Sequence, residues 1–271
     1  MPVKRDEHGR RYIEVEAEVP GTPEEVWQAI ASGPGVSSWF VPTEIDGREG
    51  GEVLSHFSSD GSMDARATIR VWQPPERFVA DSPGMAPGAP PLATEWVVEA
   101  RGGGTCVVRV VHSWFADTDD WDGQFEGTEH GWVAFFRILR LYLQHFRGQP
   151  CTPIQLMGAA PGPVPAAWEG LTSALGIAGA AEGDRIEAAA GAPPLAGVVE
   201  KAGPTDHPEL LLRVETPAPG LAHMFAMEMG GQVFLPVRFF LYGDAGAAGA
   251  AAAEPAWKEW LAARAAAAAS A

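Results

Sequence analysis

Residues 102–146 limit what this chain can fold into more than any other stretch. They open with Gly102, Gly103, Gly104 and Thr105, a turn signal that feeds a strand pattern from Cys106 to Trp114. An acidic connection follows, and from Trp132 a long apolar helix pattern takes over. Alternation along the strand sets Cys106, Val108, Val110, His112 and Trp114 on one face, with Thr105, Val107, Arg109, Val111 and Ser113 on the other. Arg109 belongs in water, so His112 and Trp114 point inward. Trp132, Phe135, Phe136, Leu139, Tyr142, Leu143 and Phe146 recur at the i, i+3, i+4, i+7 spacing of one wide helical face. A face that large and aromatic needs a cover, and a helix closed over a curved sheet provides one.

Length and charge narrow the class. A chain of 271 residues predicts two cores, at roughly 100–200 residues each. An apolar fraction of 46% with 20% charged residues can bury a real core. The formal net charge of −16 repels a phosphate backbone, so nucleic-acid binding is excluded. Met1 to His8 is charged from the start with no apolar run behind it, which predicts no secretory signal. No apolar window long enough for a membrane span occurs in the sequence. The two cysteines read as a buried strand thiol, Cys106, and a linker thiol, Cys151, as expected in a reducing, cytoplasmic setting.

The two halves follow one plan. In the first, Ile13, Val15, Ala17 and Val19 alternate with glutamates as a half-buried strand. Thr22, Pro23 and Glu25 then give an N-cap, a proline at the first helical position and a capping-box glutamate ahead of Val26, Trp27 and Ile30. Strands are expected at 53–58, 64–72, 77–81, 92–101 and 105–115, pairing as an antiparallel meander. In the second half a strand at 153–158 and a helix at 165–175 repeat the opening. Strand-like runs follow at Ile186, 195–200, 210–215, 221–227 and 233–242, and a closing helix at 256–266 carries Trp257, Trp260, Leu261 and Arg264. The expected domains are 1–150 and 151–271, since Gly148 and Pro150 block the first long helix. Internal duplication accounts for this order. The alanine-rich run 245–253 is expected to be a loop and 265–271 a fraying helix end.

These residues carry a resemblance. The run from Pro23 to Ile30, the Trp39–Phe40 pair, Gly50 and Gly51, Pro74 to Phe78, Gly103 to Thr105, His112 and the helix start at Gly131 and Trp132 resemble the SRPBCC (START-like, helix-grip) superfamily. Within it they look most like the branch named after the activator of the heat-shock-protein-90 ATPase, over residues 11–147. The second half resembles the fold pattern alone. It has no Trp-Phe pair after its first helix, no Pro-Pro-Glu-Arg run and no Gly-Trp helix start. The resemblance implies an α+β fold of two tandem helix-grip units, the second degenerate. Each would be an antiparallel sheet, seven-stranded in the family, wrapped around a long C-terminal helix. It also implies an apolar cavity between sheet and helix for a lipid, polyketide, hormone or similar molecule, and the branch name suggests a link to stress response.

Inward alternation nominates Leu92, Thr94, Trp96 and Val98 beside Val108, Val110, His112 and Trp114, with Phe57, Trp121, Trp132 and Phe136 as closing residues. The ligand-binding candidates are therefore Phe57, Trp96, Val110, His112, Trp114, Trp121, Trp132 and Phe136. An apolar wall with few polar groups suits a small-molecule site, and the same aromatics equally suit a filled core. His112 is the weak catalytic candidate. It can orient a ligand carbonyl, carry a proton or serve as a hydrogen-bonded core residue. Thr118, Asp120, Asp122, Gly123 and Glu129 fall on positions one, three, five, six and twelve of a calcium-loop template, with Phe125 at eight. A threonine stands at position one and a strand precedes, so a solvated acidic connection is expected and no metal. Motifs for serine nucleophiles, zinc proteases, redox dithiols and nucleotide phosphates are absent from the sequence. No cofactor is expected. The leading expectation is a non-catalytic protein that binds a hydrophobic small molecule. Co-chaperone-like interaction with a protein partner or a second copy is the alternative, and a polyketide cyclase or aromatase using His112 is the third.

Overall fold

The computed structural model describes residues 3–7, 9–58, 61–83, 90–114 and 122–269, with 122–130 and 266–269 given as helical backbone. The chain forms two compact units, Met1–Arg147 and Gly148–Ala271. Each is an α+β helix-grip arrangement.

The first unit starts with β1 (Lys4–Arg5), β2 (Arg11–Pro20), α1 (Pro23–Ala31) and α2 (Gly33–Ser37). It continues with β3 (Thr43–Ile45), β4 (Glu52–His56), β5 (Asp64–Gln73), β6 (Arg77–Ser82), β7 (Leu92–Arg101), β8 (Thr105–Trp114) and the long α3 (Asp122–His145). The described strands make one antiparallel sheet in the order β1-β2-β8-β7-β6-β5-β4-β3. The meander from β3 to β8 comes from short turns, and β2 closes against β8 along its whole length. Ile13, Val15 and Val19 are buried, as the alternation predicts. At the start of α1, Thr22 Oγ1 accepts from the Glu25 backbone N–H at 3.3 Å and Glu25 Oε2 accepts from the Thr22 N–H at 2.9 Å. Two helix-end donors are thereby satisfied. Arg109 on the outer face pairs with Glu16 at 3.1 Å and Glu99 at 3.3 Å, one from each flanking strand.

Two expectations are corrected in this unit. The sheet has eight described strands where the resemblance implied seven, because Lys4–Arg5 adds a short edge to β2. Helix α3 begins at Asp122, ten residues before Trp132. Gly123, Gly127 and Gly131 hide it from apolar periodicity, while Asp122, Glu126 and Glu129 suit a helix N-terminus. That helical backbone also removes the loop that a calcium template requires from its fifth to its twelfth position. Thr118 and Asp120, its first two members, lie outside the described residues, as does Trp121.

The second unit has β9 (Cys151–Ala160), α4 (Val164–Leu175), β10 (Arg185–Glu187), β11 (Ala196–Ala202), β12 (Glu209–Thr216), β13 (Gly220–Phe225), β14 (Met227–Met229), β15 (Gln232–Tyr242) and α5 (Asp244–Ala269). Its sheet runs β10-β11-β12-β13-β15-β14, and β9 pairs with β15 from Cys151↔Tyr242 to Val233↔Ala160 as β2 pairs with β8. Gly230 and Gly231 before β15 have φ of +61° and +78°, matching Gly103 and Gly104 at +82° and +79° before β8. These are left-handed turns that glycine adopts without penalty.

Here the corrections are larger. Cys151 opens β9 instead of lying in a linker, and neither Cys106 nor Cys151 is in a disulfide. The run expected as one strand at 221–227 is split into β13 and β14. Residues 245–253 are helical, forming the first turns of α5. Alanine has the highest helix propensity, and Ala250, Ala253, Trp257 and Leu261 make one buried stripe at helical spacing. Low complexity therefore hid a core-facing helix. Among the described residues no helix is long and apolar enough to cross a membrane.

Candidate functional site

The site is built on the register of β7 and β8. Leu92 pairs with Trp114, Thr94 with His112, Trp96 with Val110 and Val98 with Val108. Cross-strand partners on one face stand side by side, so these side chains make a continuous inner wall. Val110, Trp114, His112 and Trp96 are all buried, and Thr94 is half-buried. Helix α3 lays Trp132 and Phe136 on this wall. The Trp132 ring meets Trp96 edge-on at 5.2 Å and lies against the His112 imidazole at 5.3 Å, and Phe136 meets Trp96 at 6.0 Å.

A third element, the segment after α2, completes the enclosure. Trp39 is fully buried and its indole Nε1 donates to the Ala29 carbonyl at 2.8 Å, which ties it to the last turn of α1. Phe40 is thereby turned toward α3, stacked on Trp132 at 5.2 Å and 12° and edge-on to Phe135 at 4.4 Å. Phe57, just past β4, meets Phe40 at 5.6 Å. Phe40, Phe57 and Phe135 are half-buried, whereas Trp96, His112 and Phe136 are buried. The aromatic layer thus grades from a dry end at His112 to a surface end at Phe40.

His112 is the polar group of the dry end. Its Nδ1 and the Thr94 hydroxyl share a hydrogen bond of 2.9 Å. Its Nε2 is buried with no hydrogen-bond partner among the described residues. Burial pushes its pKa down from 6.5 to about 4, because a charged imidazolium there would lose its hydration with no carboxylate to replace it. The ring is neutral at physiological pH. Where the Thr94 hydroxyl donates to Nδ1, Nε2 carries the ring proton and donates; where Thr94 accepts from Nδ1–H, Nε2 is an acceptor.

Of the nominated residues, Trp96, Val110, His112, Trp132 and Phe136 converge, and Phe57 joins through Phe40. Trp114 instead packs with Ile13 and Leu92 in a separate small cluster. Sequence reasoning missed Phe40 and Phe135 as site residues. Phe135 was visible on the helical face, but Phe40 sits in a connection where no periodicity operates, and the Trp39–Phe40 pair was its one signal. Among the described residues no cluster of three or more His, Cys, Asp or Glu side chains is placed to hold a metal ion.

No curated protein matches the chain. Among solved structures, CalU16 from Micromonospora echinospora is similar at 19% identity, covering 53% of this chain and 83% of its own with a TM-score of 0.42. The Aha1 dimer from Colwellia psychrerythraea is similar at 18% identity, covering 51% and 98% with a TM-score of 0.43. The di-domain ARO/CYC BexL from the BE-7585A biosynthetic pathway is similar at 13% identity over 93% of this chain and 92% of its own, with a TM-score of 0.46. Residues 20–144, from the end of β2 almost to the end of α3, match the model of the Activator of Hsp90 ATPase homolog 1-like protein family. The first unit is thus similar to the Activator of Hsp90 ATPase homolog 1-like family, which is of the SRPBCC type.

Proposed function

We propose that the first unit binds a neutral, flat, hydrophobic small molecule between its sheet and α3, with His112 Nε2 holding the one hydroxyl or carbonyl that molecule carries. The supporting observation is that Nε2 is buried and without a partner among the described residues. A buried polar group left unmatched costs about 1–3 kcal/mol, which a ligand's hydrogen bond recovers. Trp96, Trp132 and Phe136 supply flat apolar surface around it, and entry is at the half-buried Phe40 and Phe57. The protein is taken to act in the cytoplasm and to release its ligand unchanged. A proton carrier works best with a pKa near the working pH, and His112 at about 4 is a poor base for cyclase chemistry.

The test is a titration of the full chain with 2-naphthol and with naphthalene, followed by tryptophan fluorescence. Naphthol is expected to bind about 3- to 10-fold more tightly, the value of one hydrogen bond, and His112→Phe to erase that preference while naphthalene binding persists. Equal binding of the two probes by the native chain sinks the reading. A second reading, an interaction module of co-chaperone type, is supported by the description of the family model that matches 20–144. It requires that the added chain raise the ATP hydrolysis rate of purified Hsp90.

A further inference from the structure

The geometry points to a second, separate site: a crevice in the second unit that takes a single-ring aromatic carboxylate, the ring inside and the carboxylate on Arg264. The crevice has a volume of about 180 Å³ and lies where the end of β9 passes between α4 and α5. Its walls are Gly158, Ala167, Leu171, Leu235 and Leu261, with Arg264 at the mouth. Small residues create it. A Cβ added at Gly158 would stand 3.2 Å from Leu261 Cδ2, so strand and helix meet there, while Ala167 and its neighbour Gly170 on α4 are too short to fill the space beside that contact. An apolar cavity of roughly 150 Å³ accommodates a benzene ring, and this one is of that size.

Arg264 decides the class of ligand. Its guanidinium lies over the Trp260 ring at 4.9 Å, and one N–H donates to the Gly170 carbonyl at 3.2 Å. Both contacts fix the group at the crevice mouth and leave other donors unused. Elsewhere in this unit Arg185 pairs with Glu215 and Arg213 with Glu200. Arg264 has no carboxylate partner among the described residues, in a chain whose formal net charge is −16. A held arginine without a counter-ion above an apolar crevice matches a carboxylate joined to a ring, because guanidinium binds carboxylate through paired, charge-assisted hydrogen bonds. The crevice is lined by residues of the second unit and His112 belongs to the first, so neither reading depends on the other.

The test is ligand-observed NMR and calorimetric titration of the full chain with benzoate and with its neutral counterpart benzamide. Benzoate is expected to saturate with a dissociation constant on the order of 1 mM, as befits so small a ligand, and to bind about tenfold more tightly than benzamide. Arg264→Gln should remove that tenfold preference. Gly170→Leu should abolish binding of both. No heavy atom lies within 4 Å of a Cβ built at Gly170, and leucine is a better helix residue than glycine, so folding is preserved. Absence of saturable benzoate binding, or benzoate binding unchanged in either variant, overturns the proposal.

Discussion

The two units close the same fold with opposite materials. In the first, α3 presses Trp132, Phe136, Leu139 and Leu143 onto a wall that holds Trp96 and His112. In the second, α5 presses Ala250, Ala253, Trp257 and Leu261 onto a wall of Ala222, Met224, Val237 and Phe239. Large rings meet edge-on or stacked at centroid distances of 5.2–6.0 Å in the first unit, whereas alanines let a helix settle closely on a sheet. Buried nitrogens without a hydrogen-bond partner among the described residues include His112 Nε2 in the first unit and Trp257 Nε1 in the second. An indole can only donate, but an imidazole can take either role. Shared topology thus says little about shared chemistry, since the side chains that line the two walls differ.

The largest expected effect tests whether the halves are energetically separate. We propose that 1–150 and 151–271 each fold as a unit. Trp257 and Trp114 are both fully buried, one in each unit, and truncating either to alanine should cost about 3–5 kcal/mol. In calorimetry, Trp257→Ala should lower one unfolding transition and Trp114→Ala the other. If both variants shift a single common transition, the units are coupled and the comparison loses its energetic basis.

Next in size is the pH response of the first unit. Unfolded His112 takes a proton near its ordinary value of 6.5, while the folded ring resists until about pH 4. The unfolded chain therefore binds more protons between these values, and stability falls as pH drops from 6.5 toward 4, then levels off. The expected loss from this group is about 3 kcal/mol. Subtracting the pH profile of His112→Gln isolates it from carboxylate titrations. A flat difference between the two profiles would mean that water reaches the ring, and the dry end of the site would not exist.

A smaller contrast lies at the first helix of each half. Thr22 caps α1 with a full capping box, whereas α4 starts from Pro163 with no side-chain cap. Thr22→Ala should cost about 1 kcal/mol, measured by chemical denaturation, and Pro163→Ala should cost less. Equal losses would show that burial of Trp27 and Leu171, not capping, holds these helices.

Legibility in the sequence followed the physics of each segment. Strand alternation in β8 and the capping residues of α1 are local and strong, so the inner face and the helix start were readable residue by residue. The His112–Thr94 bond follows from register between two strands whose Gly102–Thr105 turn was visible. Phe40 was not readable as a wall residue, because its direction is set by the Trp39–Ala29 hydrogen bond across two helices. The crevice at Arg264 was equally hidden. It arises where β9, α4 and α5 meet, and no one-dimensional pattern reports the space left between three elements.

The smallest expected effect concerns the segment that sequence complexity misjudged. Residues 245–253 are helical in α5, with Ala250 and Ala253 buried while Ala252 is exposed. Ala252 touches solvent, so glycine there removes no packing and tests backbone conformation alone. In a helix, Ala252→Gly should destabilise the second unit by about 0.8–1 kcal/mol through backbone entropy. In a loop it should change almost nothing. Pro255 sharpens this test, since it lacks the N–H that would bond to the Ala251 carbonyl and so weakens the helix just where Ala252 sits. If Ala252→Gly is neutral while Lys258→Gly, past the proline, costs the full amount, then the helix that grips the second sheet begins at Pro255. The alanine stripe would then be a tether, and the close alanine packing that distinguishes this unit from the aromatic one would shrink to Trp257 and Leu261.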